Sequence, residues 1–171
     1  MRFRKSNISD LNDLVDLIEQ AKKFLRENGV DQWQDGYPYE SDLRNDIEED
    51  ISYVIDNGNK IIGISSISFD GEKTYENIYE GNWITDDRYA VMHRVAVHNE
   101  FKGKGVFSKL LREAEKLAAE NGVFSIKIDT HVDNIVMQNS LIKNGFERCG
   151  IIYLDDGNKR IAFEKVINNY K

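Results

Sequence analysis

Between Tyr89 and Val97 the chain reads Tyr-Ala-Val-Met-His-Arg-Val-Ala-Val. An extended strand there places Val91, His93, Val95 and Val97 on one face and Ala90, Met92, Arg94 and Ala96 on the other. Lys102-Gly-Lys-Gly105 then turns the backbone without Cβ clashes. Beyond it Val106, Leu110, Leu111, Ala114, Leu117 and Ala118 recur at helical spacing, predicting an amphipathic helix that ends at Asn121-Gly122. A glycine turn that feeds a helix presents unpaired N–H groups at the positive end of the helix dipole. That arrangement suits a phosphate, and Lys102 and Lys104 add charge of the same sign.

Earlier in the chain, residues 2–5 predict a short strand. Ser9 is expected to start a helix, with Asp10 and Asp13 in its first turn and Asn28-Gly29 as its C-cap. Leu11, Leu14, Val15, Ile18, Ala21 and Leu25 form its apolar face. A second helix, capped by Ser41 and running through Asp50, turns Leu43 and Ile47 inward. Residues 52–56 and 60–69 flank Asn57-Gly-Asn59 and predict a hairpin with a type I′ turn. Its second strand is expected to place Ile62, Ile64 and Ser66 on one face. Residues 70–88 are polar and lack a period; Tyr79 and Trp83 are expected to anchor them.

After the central stretch, residues 124–129 predict another strand, and the strand–helix–strand order implies a right-handed parallel crossover. Asp133 or Asn134 caps a fourth helix ending near Asn144-Gly145, with Val136, Met137, Leu141 and Ile142 as its apolar positions. Residues 146–154 and 159–166 read as a final hairpin closed by Asp155-Asp-Gly-Asn158.

Composition narrows the setting. The 171 residues suffice for one domain, taken as residues 1–171, and 40% hydrophobic with 31% charged is ordinary for a soluble globular protein. No apolar run reaches the length of a membrane span, and the N-terminus lacks an apolar signal segment. The single cysteine, Cys149, excludes an internal disulfide and a cysteine-based zinc cluster. The expectation is a cytoplasmic protein with no membrane partner. A net charge of −7 argues against broad nucleic-acid binding. It suits a cationic acceptor, and it equally suits solubility.

Two nucleotide motifs are excluded. No GxxxxGK[ST] occurs, and after Gly103-Lys-Gly105 the third glycine of the dinucleotide fingerprint is replaced by Ser108. The turn also follows an antiparallel hairpin, whereas a dinucleotide-binding domain opens on it. His93 lies two residues before Val95 on the same face; it reads as a base or as a hydrogen-bonded core histidine. Trp33 and Tyr37, in a loop with Gly36 and Pro38, read as a hydrophobic plug or as the aromatic wall of an acceptor pocket. His98 reads as solvated. With no HExxH spacing and no cysteine cluster, no metal site is expected.

On Lys102-Gly-Lys-Gly-Val-Phe107 after a strand, and on Asn134 before a helix ending in Gly145-Phe146, the whole chain resembles the GNAT family of N-acetyltransferases. The family pattern is Gln/Arg-x-x-Gly-x-Gly/Ala: Gly105 matches, Lys102 is a basic substitute, and Phe107 departs where a small residue is usual. The resemblance implies an α/β fold with a mixed, mostly antiparallel sheet of about six to seven strands and helices on both faces. It implies acetyl-CoA as cosubstrate. Backbone groups of Val95, Ala96 and Val97 would bond the pantetheine arm. Lys102, Gly103, Lys104, Gly105, Val106, Phe107 and Ser108 would cradle the pyrophosphate, and Asn134, Met137 and Ser140 would complete the cofactor set. Trp33, Tyr37 and His131 would lie on the acceptor side.

The implied reaction is direct transfer of an acetyl group to a primary amine of a small molecule or peptide in a ternary complex, by a monomer or homodimer. His93 is then the candidate base. Many members carry a tyrosine acid four residues before the Gly-Phe glycine, where this chain has Leu141. Either Tyr153 or Cys149, both on the following strand, serves as the acid in its place, packing roles being the alternative for both, or no acid is needed because the thiolate is a tolerable leaving group. Leu141 equally motivates a non-catalytic acyl-CoA-binding module, and Ser140 leaves transfer of a longer acyl group open.

Overall fold

A computed structural model describes residues 1–168. The described residues form seven strands: β1 (Arg2–Lys5), β2 (Ser52–Asp56), β3 (Ile61–Ser68), β4 (Ala90–Val97), β5 (Ser125–His131), β6 (Glu147–Tyr153) and β7 (Lys159–Val166). Four α-helices accompany them: α1 (Leu11–Glu27), α2 (Glu40–Glu48), α3 (Val106–Glu120) and α4 (Ile135–Lys143). The strands follow the order β1-β2-β3-β4-β5-β7-β6. β1/β2, β2/β3, β5/β7 and β6/β7 are antiparallel, and β4/β5 is parallel, as the crossover predicts. The β4/β5 ladder comprises Ala90 with Ile126 and Val91 with Lys127. The chain divides into two compact units, residues 1–67 with 93–113, and residues 68–92 with 114 onward.

In the first unit, helices cover both faces of β2 and β3. Val54, Ile61 and Ile64 pack with Leu11, Leu14, Leu17, Ile18 and Leu43 from α1 and α2. Ile55 and Ile62 pack instead with Val106 and Leu110 from α3. Adjacent strand residues point to opposite faces, so Val54 and Ile55 separate as the pleat requires. Ile62 and Ile64 were expected on one face, but they fall in different clusters. The register slips at Ile55/Asp56, where Gly63 pairs with Ile55 and Ile61 with Asp56. Ile62 is the extra residue of this bulge, which restarts the alternation. Gly63 meets α3 closely: a Cβ there would lie 2.8 Å from a Val106 methyl and 3.2 Å from one of Leu110.

Several caps differ from expectation. Asn7, not Ser9, opens the first helical segment: its side chain accepts from the Ser9 N–H, and the Asp10 carboxylate accepts from the Asn7 N–H. α2 starts one residue before Ser41, with the Tyr39 N–H donating to Asp42 at 2.7 Å. α1 ends as predicted: Gly29, at φ 71°, donates to the Arg26 carbonyl while Val30 donates to that of Leu25. The β2–β3 turn has positive φ at Gly58 but not at Asn57 or Asn59, and the Asn57 N–H donates to the Lys60 carbonyl, so the turn is centred on Gly58-Asn59 and is not type I′ on Asn57-Gly58.

Arg4 of β1 donates to both Asp10 and Asp56, and Arg2 also donates to Asp56. These hydrogen bonds, Arg4's first, hold the Asp56 carboxyl down at about 2 and shift Asp10 in the same direction. The folded value is below the unfolded one, so the stabilisation is complete above the unfolded pKa and is lost as pH falls toward 2. Asp56→Asn is expected to melt lower than wild type at neutral pH, with the two converging below pH 3. Melting curves across that range read the difference.

In the second unit, Tyr75, Val91, Ile152 and Ala162 form a cluster on which Ile78, Trp83, Tyr89 and Leu154 pack. Trp83 Nε1 donates to the Tyr75 carbonyl at 2.9 Å, and Tyr79 exchanges two backbone hydrogen bonds with Ile151. The anchoring expected of these aromatics is thus observed. The segment is also tied by the fully buried Glu164 of β7. Its carboxylate accepts from the Ile84 N–H at 2.6 Å, the Thr85 hydroxyl at 2.7 Å and the Ser125 hydroxyl at 2.7 Å. Lys127 lies between the rings of Trp83 and Tyr89, 4.4 and 4.1 Å from their centroids, and burial lowers its pKa. On α4, Leu141 is fully buried, but Val136 and Ile142, expected as apolar anchors, are exposed together with Ile135. Among the described residues, no helix is long and apolar enough to cross a membrane.

Candidate cofactor and acceptor site

The first unit holds the glycine turn. A short 3₁₀ turn, Asn99–Phe101, leaves β4, and His98 caps it by accepting the Glu100 N–H on Nδ1 at 3.3 Å. Gly103 and Gly105 have φ of 74° and 79°, a region that disfavours side chains, with open space where a Cβ would be. The first α3 hydrogen bond runs from the Lys109 N–H to the Gly105 carbonyl. The Val106, Phe107 and Ser108 amides therefore belong to the first turn, where no intrahelical acceptor exists. Val106 is buried and anchors this turn, while Gly103, Lys104 and Gly105 are exposed. Backbone donors, the dipole and the exposed Lys104 give this turn a chemistry that suits an anion.

Lys102 does not join these groups in this structure. Its ammonium lies 3.3 Å from the centroid of the Phe24 ring on α1 and has no hydrogen-bond acceptor among the described residues. Burial lowers its pKa.

Upstream on β4, Val95 and Val97 pack toward α3 with Val106 and Leu110, and Ala96 packs on the α1–α2 side. Arg94 has φ 51°, a left-handed conformation that is costly for a residue with a side chain. Its guanidinium is held by two hydrogen bonds to Asp46, at 2.6 and 2.5 Å, and donates to the Tyr37 hydroxyl at 2.6 Å. Burial lowers the Arg94 pKa, but Asp46 and Tyr37 outweigh it and the net shift is upward. Burial raises that of the Tyr37 phenol, against the opposing pull of Arg94. Tyr37 is thereby fixed to the central strand. Trp33 instead packs against the α1–α2 core, which agrees with the plug reading for that residue.

His93 is half-buried on β4, and its carbonyl lies 3.4 Å from the Ser65 hydroxyl. A 170 Å³ cleft lies between α1, the aromatic loop and α2, lined by Val15, Ile18, Lys22, Pro38, Tyr39 and Leu43 among others. Trp33 and Tyr37 do not line it. The buried Lys22 closes one side, donating to the carbonyls of Gly36 and Pro38 at 2.8 and 2.9 Å and to Glu19 at 2.8 Å. Arg94, Asp46 and Lys22 belong to no motif in the sequence. The available signal was a charge on an inward-facing stripe, which demands a buried partner.

The second unit holds the remaining candidates. Asn134 is the N-cap of α4, its side-chain oxygen accepting the Met137 N–H at 3.1 Å. The Ser140 hydroxyl donates back to the Val136 carbonyl at 2.8 Å. His131 ends β5, and its Nδ1 accepts the Asp133 N–H at 3.1 Å. Tyr153 is exposed and meets Tyr79 edge-on, 5.4 Å between centroids. Cys149 is buried, which pushes its thiol up to about 11 and makes it a poor proton donor near neutral pH. No cluster of metal-binding side chains occurs among the described residues.

A mixed, mostly antiparallel sheet, with a strand that runs through a glycine turn into a helix N-terminus, defines a mixed α/β fold. The sequence pattern of the Acetyltransferase (GNAT) family matches residues 15–146, and the chain belongs to that family. A GNAT acetyltransferase from Streptococcus agalactiae 2603 is 31% identical, superposes with a TM-score of 0.88, and aligns over 98% of this chain and 96% of its own. A GNAT acetyltransferase from Listeria monocytogenes 4b F2365 is 21% identical with a TM-score of 0.74, covering 97% of this chain and 94% of its own. The PaiA N-acetyltransferase of Thermoplasma acidophilum, solved with coenzyme A, is 20% identical with a TM-score of 0.72, covering 96% of this chain and 98% of its own. Both of these last two show the shared fold. No curated protein matches the sequence.

Proposed function

We propose that the chain transfers the acetyl group of acetyl-CoA to a primary amine of a small molecule or peptide, directly and in a ternary complex. The observation that carries this reading is the anion seat at Gly103–Ser108, in a member of an acetyltransferase family. Open first-turn amides and the exposed Lys104 fit a pyrophosphate, and a solved relative with the same fold holds coenzyme A. Acetyl-CoA supplies an activated thioester. The chain's own residues bind and orient it: the first-turn amides of Val106, Phe107 and Ser108 take the phosphates, and backbone groups of Val95 and Val97 take the pantetheine. A β4 N–H near Val95 faces the developing oxyanion, and His93 accepts the amine proton directly or through water; the C–S bond then breaks and coenzyme A leaves as the thiolate, which takes its proton from water. Alignment of amine and thioester supplies much of the acceleration.

Acetyl-CoA is expected to raise the melting temperature, and Gly105→Glu to abolish the shift by placing a carboxylate at the phosphate seat. Gly105→Asn tolerates the left-handed backbone and should keep most of the shift. An undiminished shift in the Glu variant would overturn the assignment of the turn.

A second reading is a non-catalytic acyl-CoA-binding module, supported by Leu141, fully buried where many relatives carry a tyrosine acid. Thiol release from acetyl-CoA over a panel of amines, polyamines, amino acids and peptides separates the two. Cofactor binding without turnover favours the module.

A further inference from the structure

The ammonium of Lys102 is shielded from solvent, has no hydrogen-bond acceptor among the described residues, and lies 3.3 Å from the centroid of the Phe24 ring. A buried cation without an acceptor is costly, and a ring face offsets part of that cost. The contact joins the first residue of the glycine turn to the last part of α1, which itself ends in a fixed C-cap. Glu27, one turn beyond Phe24, attracts the ammonium from a distance but pairs with Lys23. To reach an anion on the first turn of α3, the Lys102 ammonium would have to leave this seat. Lys104 needs no such movement: it is exposed and lies 5.2 Å from the Phe101 ring centroid. The Phe101 ring is itself packed against the α3 cluster.

We infer that Lys102 is not a phosphate ligand but a positioning residue, seated on Phe24 so that the entry of the glycine turn is fixed against α1. This rests on the reading of the turn as a coenzyme A phosphate site. Phe24 thereby becomes a determinant of cofactor affinity although it touches no cofactor. The positive charge that the anion feels comes from Lys104 and from the first-turn amides.

The test is calorimetric titration with coenzyme A at several salt concentrations, beside thermal unfolding of the free chain. Lys102→Met keeps a long side chain on the ring without the charge. It should bind within about twofold of wild type with an unchanged salt dependence, because no phosphate contact is lost. Lys102→Ala and Phe24→Ala should each weaken binding by about tenfold through loosening of the turn, and Phe24→Trp should restore it. Lys104→Met should weaken binding and flatten its salt dependence. A tenfold loss in Lys102→Met with a flattened salt dependence would overturn the inference, as would wild-type affinity in Lys102→Ala. Without ligand, Lys102→Met should melt no lower than wild type and several degrees above Lys102→Ala; melting as low as Lys102→Ala would also overturn it. Failure of the wild type to bind coenzyme A would sink the proposed function, while the unfolding comparison would still decide the anchor.

Discussion

Asp46→Ala should destabilise the chain by about 3–5 kcal/mol, because it leaves a buried guanidinium without its carboxylate. Arg94 and Asp46 side chains are only 14% and 7% exposed, and the pair shares two short hydrogen bonds. The loss extends beyond the pair, since Arg94 also donates to Tyr37 and holds an unfavourable backbone conformation in β4. Without Asp46 the strand has less to keep φ at 51°, and the backbone groups proposed to meet the thioester lose their reference. Urea unfolding gives the stability, and comparison with Tyr37→Phe gives scale: removing only the phenol's oxygen should cost about 1 kcal/mol. A loss under 1 kcal/mol for Asp46→Ala would mean that water or another acceptor takes over Arg94.

The second large effect is expected at Glu164. Replacing it with Leu leaves the Ile84 N–H and the Thr85 and Ser125 hydroxyls without their acceptor; Glu164 and Ser125 are fully buried, whereas Ile84 and Thr85 lie nearer the surface. Each orphaned group that stays dry costs about 1–3 kcal/mol, so three give about 3–9 kcal/mol, and access of water to the less buried Ile84 and Thr85 groups brings the expectation to the lower end of that range. Glu164→Gln preserves shape and one acceptor oxygen, but its amide turns donors toward donors; an intermediate loss follows. Hydrogen exchange locates the damage: the Ile84 amide should lose protection well before amides of β2 and β3. Equal loss across the chain would indicate that Glu164 supports the whole fold rather than the 70–88 connection.

These two residues also mark what the sequence could and could not convey. The glycine turn was legible because its physics is local: two glycines, two lysines and an apolar helix within one short stretch. The crossover and the final hairpin were legible for the same reason, since alternation and turn residues are neighbours in the chain. Glu164 was not legible as a buried acceptor, because its donors come from residues 84, 85 and 125. Arg94 reads as one polar position in an alternating strand until Asp46 and Tyr37 are brought to it. Asp46 itself falls between Leu43 and Ile47 on the inward side of α2, and Lys22 one turn after Ile18; both were overlooked as exceptions to an apolar stripe. The β3 bulge was hard to place for a different reason: Ile61-Ile62-Gly63-Ile64 is apolar throughout, so the pattern does not say where the alternation restarts, and the lone Gly63 was its one mark. At the acceptor end, aromatic residues gave no indication of direction, so Trp33 and Tyr37 read alike although one packs into the core and the other is bound to Arg94.

Gly63 gives the bulged strand a reach that no side chain there would permit. A methyl group at that position would meet a Val106 methyl at 2.8 Å, inside any real contact distance. The start of α3 therefore rests against the β3 backbone itself. Val106 is also the residue whose amide opens the proposed phosphate seat, so the bare main chain of β3 acts as a mechanical stop for that seat. Lengthening residue 63 by a single carbon would act as a shim, displacing the helix start and its donors together by a few tenths of an ångström or more while leaving the sequence of the turn unchanged.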